Sequence, residues 1–295
     1  MEFIRSHVAF VGLLFLVGCN GVSGSQSSQD FSSLSGGLLS NSSLAGPVSG
    51  SSPVSPVSTL PPSKRVYSTD VLLFVGTGTW SDEVSSLKNI LSTNGATFQA
   101  VSSAQLNQMT SAQLVKFGMI LFPGGSGGTQ ADGLTAQTHA RLRDAVQKAG
   151  VGYFGICAGA FIAAAPAPSP GGDVSYGLGV VDGPVLDYYY LENQGTDVAM
   201  TLLDYADGST DDVLWYGGPM TQEIAGGVIA RYPDRSPAIS QMASGNGFVI
   251  LSGPHPTATQ AMLSSLGVSS SDGLHLDLTW NLISAVLNQA PLPAF

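Results

Sequence analysis

The sequence predicts an α/β protein: a mostly parallel sheet covered by helices, extended by a largely antiparallel segment. Three observations carry this. Short apolar runs alternate with amphipathic helical patterns from residue 66 to residue 166, the signature of parallel strands joined by helical crossovers. From 173 to 235, helical periodicity gives way to short strand-like runs separated by Asp and Gly. Strand and helix patterns then return through residue 295.

The 295 residues suffice for one large domain with appendages. Only 10% are charged, against about a quarter in ordinary domains. The formal net charge is −10, with ten Lys and Arg in all, which argues against a nucleic-acid partner.

Residues 1–19 read as a targeting segment. Arg5 gives a short positive region, and Val8 to Val17 is an apolar run too short to span a bilayer comfortably. It ends in Leu16-Val17-Gly18-Cys19, which resembles a bacterial lipobox. That resemblance implies lipidation at Cys19, export, and anchoring to a membrane of the cell envelope. A lipidated Cys19 would not pair with Cys157, the other cysteine. Residues 20–64 are Ser-, Gly- and Pro-rich without periodicity and read as a tether, reaching on the order of 35–40 Å.

The domain is expected over 65–295. Val71 to Gly76 is a buried strand. Ser81 is the expected N-cap of a helix that ends near Gly95, with Asp82 and Glu83 where the helix dipole favours acids. Ala96 to Val101 is a strand, and Ser103 or Ala104 to Phe117 reads as a helix with a break near Thr110. Met119 to Phe122 is a strand entering Pro123-Gly124-Gly125-Ser126-Gly127-Gly128. Such glycines let backbone N–H groups converge on an anion or oxyanion, or make a plain flexible turn. No Gly-Lys-[Ser/Thr] follows, so this is not a P-loop. A helix from about Leu134 to Ala149 precedes the strand Val151 to Ile156.

That strand ends in Gly155-x-Cys157-x-Gly159, followed by Ala160 and Ala163 to Ala165. A nucleophile flanked by glycines between strand and helix is the pattern of a nucleophile elbow. A thiol there would sit at a helix N-terminus, which favours thiolate. The alternative is a small buried cysteine beside a tight turn.

In the antiparallel segment, strands are expected at Val174–Val181, Val185–Leu191, Val198–Leu203, Val213–Tyr216 and Gly227–Tyr232. The acidic loop Asp204 to Asp212 does not have EF-hand spacing and reads as solvated. Ala238 to Met242 and Phe248 to Ser252 form a hairpin about Ser244-Gly245-Asn246-Gly247. Helices at about Ala258–Leu266 and His275–Gln289 close the chain.

A cysteine nucleophile needs a base. His7 lies in the leader, His139 reads as a helix-edge residue, and His275 as a cap or surface residue. His255 follows a buried strand directly in Gly253-Pro254-His255-Pro256, where open α/β sheets place their sites.

Phe122-Pro123-Gly124-Gly125, Gly155-Ile156-Cys157-Ala158-Gly159-Ala160 and Gly253-Pro254-His255-Pro256 occur in an order that resembles class I glutamine amidotransferase-like domains. Trp215-Tyr216-Gly217-Gly218-Pro219 and Ile229-Ala230-Arg231-Tyr232 are similar to the group related to the biotin–protein ligase N-terminal domain. The resemblance spans about residues 67–290. It implies a flavodoxin-like three-layer sandwich, Cys157 as nucleophile, His255 as base, and an oxyanion hole from the N–H groups of Ala158 and the Gly124–Gly125 loop. The implied reaction is attack on an amide carbonyl of a small molecule or peptide, through an acyl-thioester, with no cofactor or metal.

One departure stands out. The family pattern has Glu two residues after the histidine, and this chain has Thr257. Either the site is a Cys-His dyad with Thr257 against the ring, or another acid such as Asp272 or Asp277 reaches in, or activity is reduced or lost. Three readings follow: an amide hydrolase, a catalytically inactive ligand-binding module, and a redox or small-molecule role for the thiol.

Overall fold

The structure, a computed structural model, describes residues 65–164, 177–183, 185–189, 191 and 194–295. The expected leader, Cys19 and the tether lie outside these residues, as does the start of the expected strand at Val174.

Among the described residues, nine strands form one sheet. They are β1 (Thr69–Phe74), β2 (Phe98–Val101), β3 (Phe117–Phe122), β4 (Gly152–Ile156), β5 (Val198–Tyr205), β6 (Thr210–Tyr216), β7 (Val228–Arg231), β8 (Pro237–Ser244) and β9 (Gly247–Ser252). Their spatial order is β2-β1-β3-β4-β9-β8-β7-β5-β6. The first five are parallel, in the flavodoxin-like order, and from β9 outward every pairing is antiparallel. The segment expected as an insertion therefore extends the same sheet.

The helices are α1 (Ser81–Thr93), α2 (Ser103–Gln108), α3 (Ser111–Leu114), α4 (Gly127–Asp132), α5 (Ala136–Gln147), α6 (Ala158–Ala164), α7 (Gln260–Leu266) and α8 (Leu276–Asn288). None is long and apolar enough to cross a membrane, among the described residues.

Alternation along the strands builds the three layers. Leu72 and Phe74 of β1 face one side with Ile120 and Phe122 of β3, under Leu106, Leu142, Val146 and Ile162 from the helices. Val71, Leu73, Met119 and Leu121 face the other side, under Leu87 and Leu91 of α1 and Leu282, Ile283 and Val286 of α8. Both faces are covered, which is why β1, β3 and β4 read as continuous apolar runs.

Several boundaries differ from the sequence reading. Trp80, not Ser81, caps α1, and it makes no side-chain cap hydrogen bond. The break at Thr110 is a full capping box: its side chain accepts from the Gln113 N–H while Gln113 reaches back to the Thr110 N–H. The glycine loop runs into the short helix α4, capped by Ser126. The described part of 174–191 contains no strand. Tyr188 forms an isolated bridge to Pro219 there instead of joining a ladder. The hairpin between β8 and β9 closes with Ser244 opposite Gly247, as the Gly-Asn turn requires.

Candidate active site

The parallel strands end on the same side of the sheet, and their loops make the site. β4 is followed directly by Cys157, which has φ 49°, a left-handed conformation that costs a non-glycine residue energy. Its N–H donates to the Ser252 carbonyl at the end of β9 (2.7 Å). The flanking glycines are there for space. A Cβ on Gly155 would lie 2.4 Å from the Gly159 carbonyl oxygen, and one on Gly159 would lie 2.2 Å from that of Phe122. The tight turn thus needs both glycines, and it turns the thiol towards the sheet's carboxyl edge.

β9 runs into Gly253-Pro254-His255. The His255 N–H donates to the Leu214 carbonyl (2.7 Å), tying the loop to β6. A Cβ on Gly218 would sit 2.0 Å from the Gly253 carbonyl oxygen, and a Cβ on Gly253 would sit 2.0 Å from that of Pro219. The Trp215-to-Pro219 motif is therefore the seat on which the histidine loop rests. The Tyr216 carbonyl accepts from the Cys157 thiol (3.6 Å).

The ring of His255 is buried, and its Nδ1 lies 2.9 Å from Glu83 Oε1. Glu83 comes from α1 and is wholly buried. Three donors converge on it: His255 Nδ1–H, the Thr257 hydroxyl at 2.5 Å, and the Gly124 N–H. Ser86, one turn along α1, donates to the Thr257 carbonyl (2.6 Å) and fixes helix to loop a second time. A carboxylate facing the ring assigns the proton to Nδ1 and leaves Nε2 for the thiol. Nε2 is buried and makes no hydrogen bond within the described residues.

Burial is the largest single influence on His255 and disfavours its protonated form. The Glu83 carboxylate, then the Cys157 side chain, act the other way and together prevail. The histidine is thus raised well above its usual value.

The acid that completes the pair is therefore Glu83, neither of the carboxylates named from sequence. Asp277 lines a separate cavity of about 420 Å³, and Asp272 accepts from His275 Nε2 (3.0 Å) and from the Asp212 N–H (2.8 Å). Thr257 does not orient the ring itself; its hydroxyl donates to Glu83. Gly124 also differs from expectation, because its N–H is engaged by Glu83. The N–H groups of Gly125 and Ala158 have no acceptor among the described residues and are the ones left for an oxyanion. His139 is buried, with Nε2 3.1 Å from the Ala131 carbonyl oxygen.

Glu83 carried a sequence signal of its own. It lies four residues before Leu87 and eight before Leu91, on the buried stripe of α1 rather than its wet face. An acid on an apolar stripe needs partners.

A cavity of about 540 Å³ opens above the thiol, lined by Cys157, His255, Gly125, Trp80, Tyr216 and Asp197 among others. The Trp80 ring meets His255 and Tyr216 edge-on, at 5.4 and 5.6 Å. Away from the cavity, Asp211, Asp272 and His275 bring potential metal-ligand atoms within 4.8 Å of one another. These side chains already serve each other: His275 lies 3.0 Å from Asp272 and 3.6 Å from Asp211.

Among solved structures, a glutamine amidotransferase is similar at 19% identity, covering 67% of this chain and 99% of its own, with a TM-score of 0.46. A proposed GMP synthase component from Thermoplasma acidophilum shows 12% identity, 74% and 94% coverage, and a TM-score of 0.43. An exo-β-1,4-mannosidase from Opitutaceae bacterium strain TAV5 shows 11% identity, 78% and 37% coverage, and a TM-score of 0.42. No curated protein matches the chain. The family described as biotin-protein ligase, N terminal, matches residues 69–174, from β1 through the cysteine elbow and α6. Over those residues the chain is similar to that family, and its strands follow the flavodoxin-like order described above.

Proposed function

We propose that the protein is a cysteine hydrolase of amide bonds, with Cys157 as nucleophile, His255 as acid and base, and Glu83 as the positioning residue. The observation that carries this reading is the 2.9 Å contact between His255 Nδ1 and Glu83 Oε1, which supplies the carboxylate that the position of Thr257 lacks. The thiolate attacks the carbonyl carbon, and the N–H groups of Gly125 and Ala158 donate to the developing oxyanion. The His255 imidazolium gives its Nε2 proton to the departing amine. The neutral ring then takes a proton from water, which attacks the thioester and releases the acid and the thiolate, restoring the thiolate–imidazolium pair. Glu83 holds Nδ1–H throughout, so the ring keeps its tautomer.

The leader pattern supports placing this hydrolase outside the cytoplasm, tethered by lipid on Cys19. Radiolabelled palmitate incorporation, lost in Cys19→Ser, tests the anchor. Hydrolysis of a panel of amino-acid and peptide amides tests the chemistry. Turnover abolished in Cys157→Ala upholds it, and turnover unchanged in that variant overturns it.

A further inference from the structure

The cavity above Cys157 has a charge character that the hydrolytic reading leaves unused. Asp197, in the stretch leading into β5, lines it, and among the described residues neither Lys nor Arg does. The Asp197 carboxylate is exposed and makes no ion pair among the described residues. The nearby carboxylate of Glu83 is consumed by its three donors, and the His255 charge faces it. Among the described residues, Asp197 is thus the unbalanced charge facing the cavity.

The rings that line the same cavity have matching chemistry. Trp80, Tyr188 and Tyr216 line the same cavity, and Tyr188 and Tyr216 are 51% and 41% exposed, so part of each ring is open to a ligand. Aromatic faces attract cations electrostatically, and a carboxylate beside them supplies the counter-charge. An anionic substrate would be repelled by Asp197, and a neutral one would gain at most a hydrogen bond, without the charge pairing a cation gains.

We propose that the substrate is an amide bearing a net positive charge, an ammonium or guanidinium group, which lies against Trp80, Tyr188 and Tyr216 and pairs with Asp197 while its carbonyl meets Cys157. This rests on the reading of the cavity as the amide-binding site of a cysteine hydrolase.

Charged methanethiosulfonates test it without a known substrate. The thiolate attacks the reagent's sulfenyl sulfur, a disulfide forms, and methanesulfinate leaves. The full chain is treated with trimethylammonioethyl, sulfonatoethyl and methyl reagents, and the rate at Cys157 is read by peptide mass spectrometry, which separates it from Cys19. The cationic reagent is expected to exceed the anionic one by about tenfold or more, as steering into a charged cleft gives. Asp197→Asn lowers that ratio several-fold. Asp197→Glu restores it, and Asp277→Asn, which removes a charge at the other cavity, leaves it in place. The methyl reagent reacts equally with all four proteins. A ratio that is the same in Asp197→Asn and Asp277→Asn overturns the proposal. If hydrolysis proves independent of Cys157 while the charge preference at Cys157 persists and depends on Asp197, the cation site stands and the hydrolase reading falls.

Discussion

Glu83 and His255 are separated by 172 residues in the chain and by 2.9 Å in space, and both are buried. Helix α1 brings one and the loop after β9 brings the other, so the pair spans the first and last strands of the parallel sheet's run along the chain. Replacing Glu83 with Gln keeps the size and removes the charge that holds His255 protonated. Alkylation of Cys157 by iodoacetamide at neutral pH is expected to fall in Glu83→Gln to near the rate of His255→Ala. Amide turnover falls on the order of 10²–10⁴-fold, the usual worth of a positioned acid–base group. Unchanged alkylation in Glu83→Gln would remove Glu83 from the machinery.

The same pair makes stability depend on pH. The folded value of His255 is raised, so the folded state binds its proton more tightly than the unfolded one. The contribution is fully present below about pH 6.5, the unperturbed histidine value, and is lost as pH rises through the raised native value. Urea midpoints measured across the alkaline side should fall more steeply for the wild type than for His255→Gln. Parallel curves would show that the charge pair does not form.

The buried carboxylate also anchors structure. Glu83→Leu would leave His255 Nδ1–H, the Thr257 hydroxyl and the Gly124 N–H without their acceptor. Orphaned buried donors cost about 1–3 kcal/mol each, so urea unfolding should show a loss of several kcal/mol. Thr257→Val, which removes one donor and leaves the acid in place, should cost much less.

The parallel half of the fold was legible because β1, β3 and β4 are covered on both faces and read as largely unbroken apolar runs. The elbow was legible for a steric reason: Gly155 and Gly159 are the positions where backbone oxygens come within 2.4 and 2.2 Å of an added Cβ. The segment before β5 was not. Its Val and Tyr residues suggested a strand at 185–191, yet Tyr188 and Leu186 make cavity wall and core contacts rather than a ladder. Glu83 was overlooked because a first-turn acid has a sufficient local explanation in the helix dipole. Only its place on the buried stripe with Leu87 and Leu91 distinguishes it. The assignment of Gly124 to the oxyanion hole failed for the same cause, since its N–H could not be known to be taken without knowing where Glu83 points.

Gly218 gives the sharpest separation between fold and site. It lies beyond β6, and its Cα faces the Gly253 carbonyl, with a Cβ expected 2.0 Å from that oxygen. Backbone on both sides leaves no flexible side chain to yield. Gly218→Ala must therefore push the Trp215-to-Pro219 seat away from the histidine loop, at a cost of roughly 1–3 kcal/mol, the usual range for overpacking. The parallel sheet does not depend on this contact, so the protein should stay folded by circular dichroism with a lower urea midpoint. The site does depend on it, because Leu214 holds the His255 N–H and Tyr216 holds the Cys157 thiol. Cys157 alkylation in Gly218→Ala should then no longer respond to a second change, His255→Ala. A variant in which both the urea midpoint and the His255 dependence match the wild type would show that the seat is not what positions the histidine.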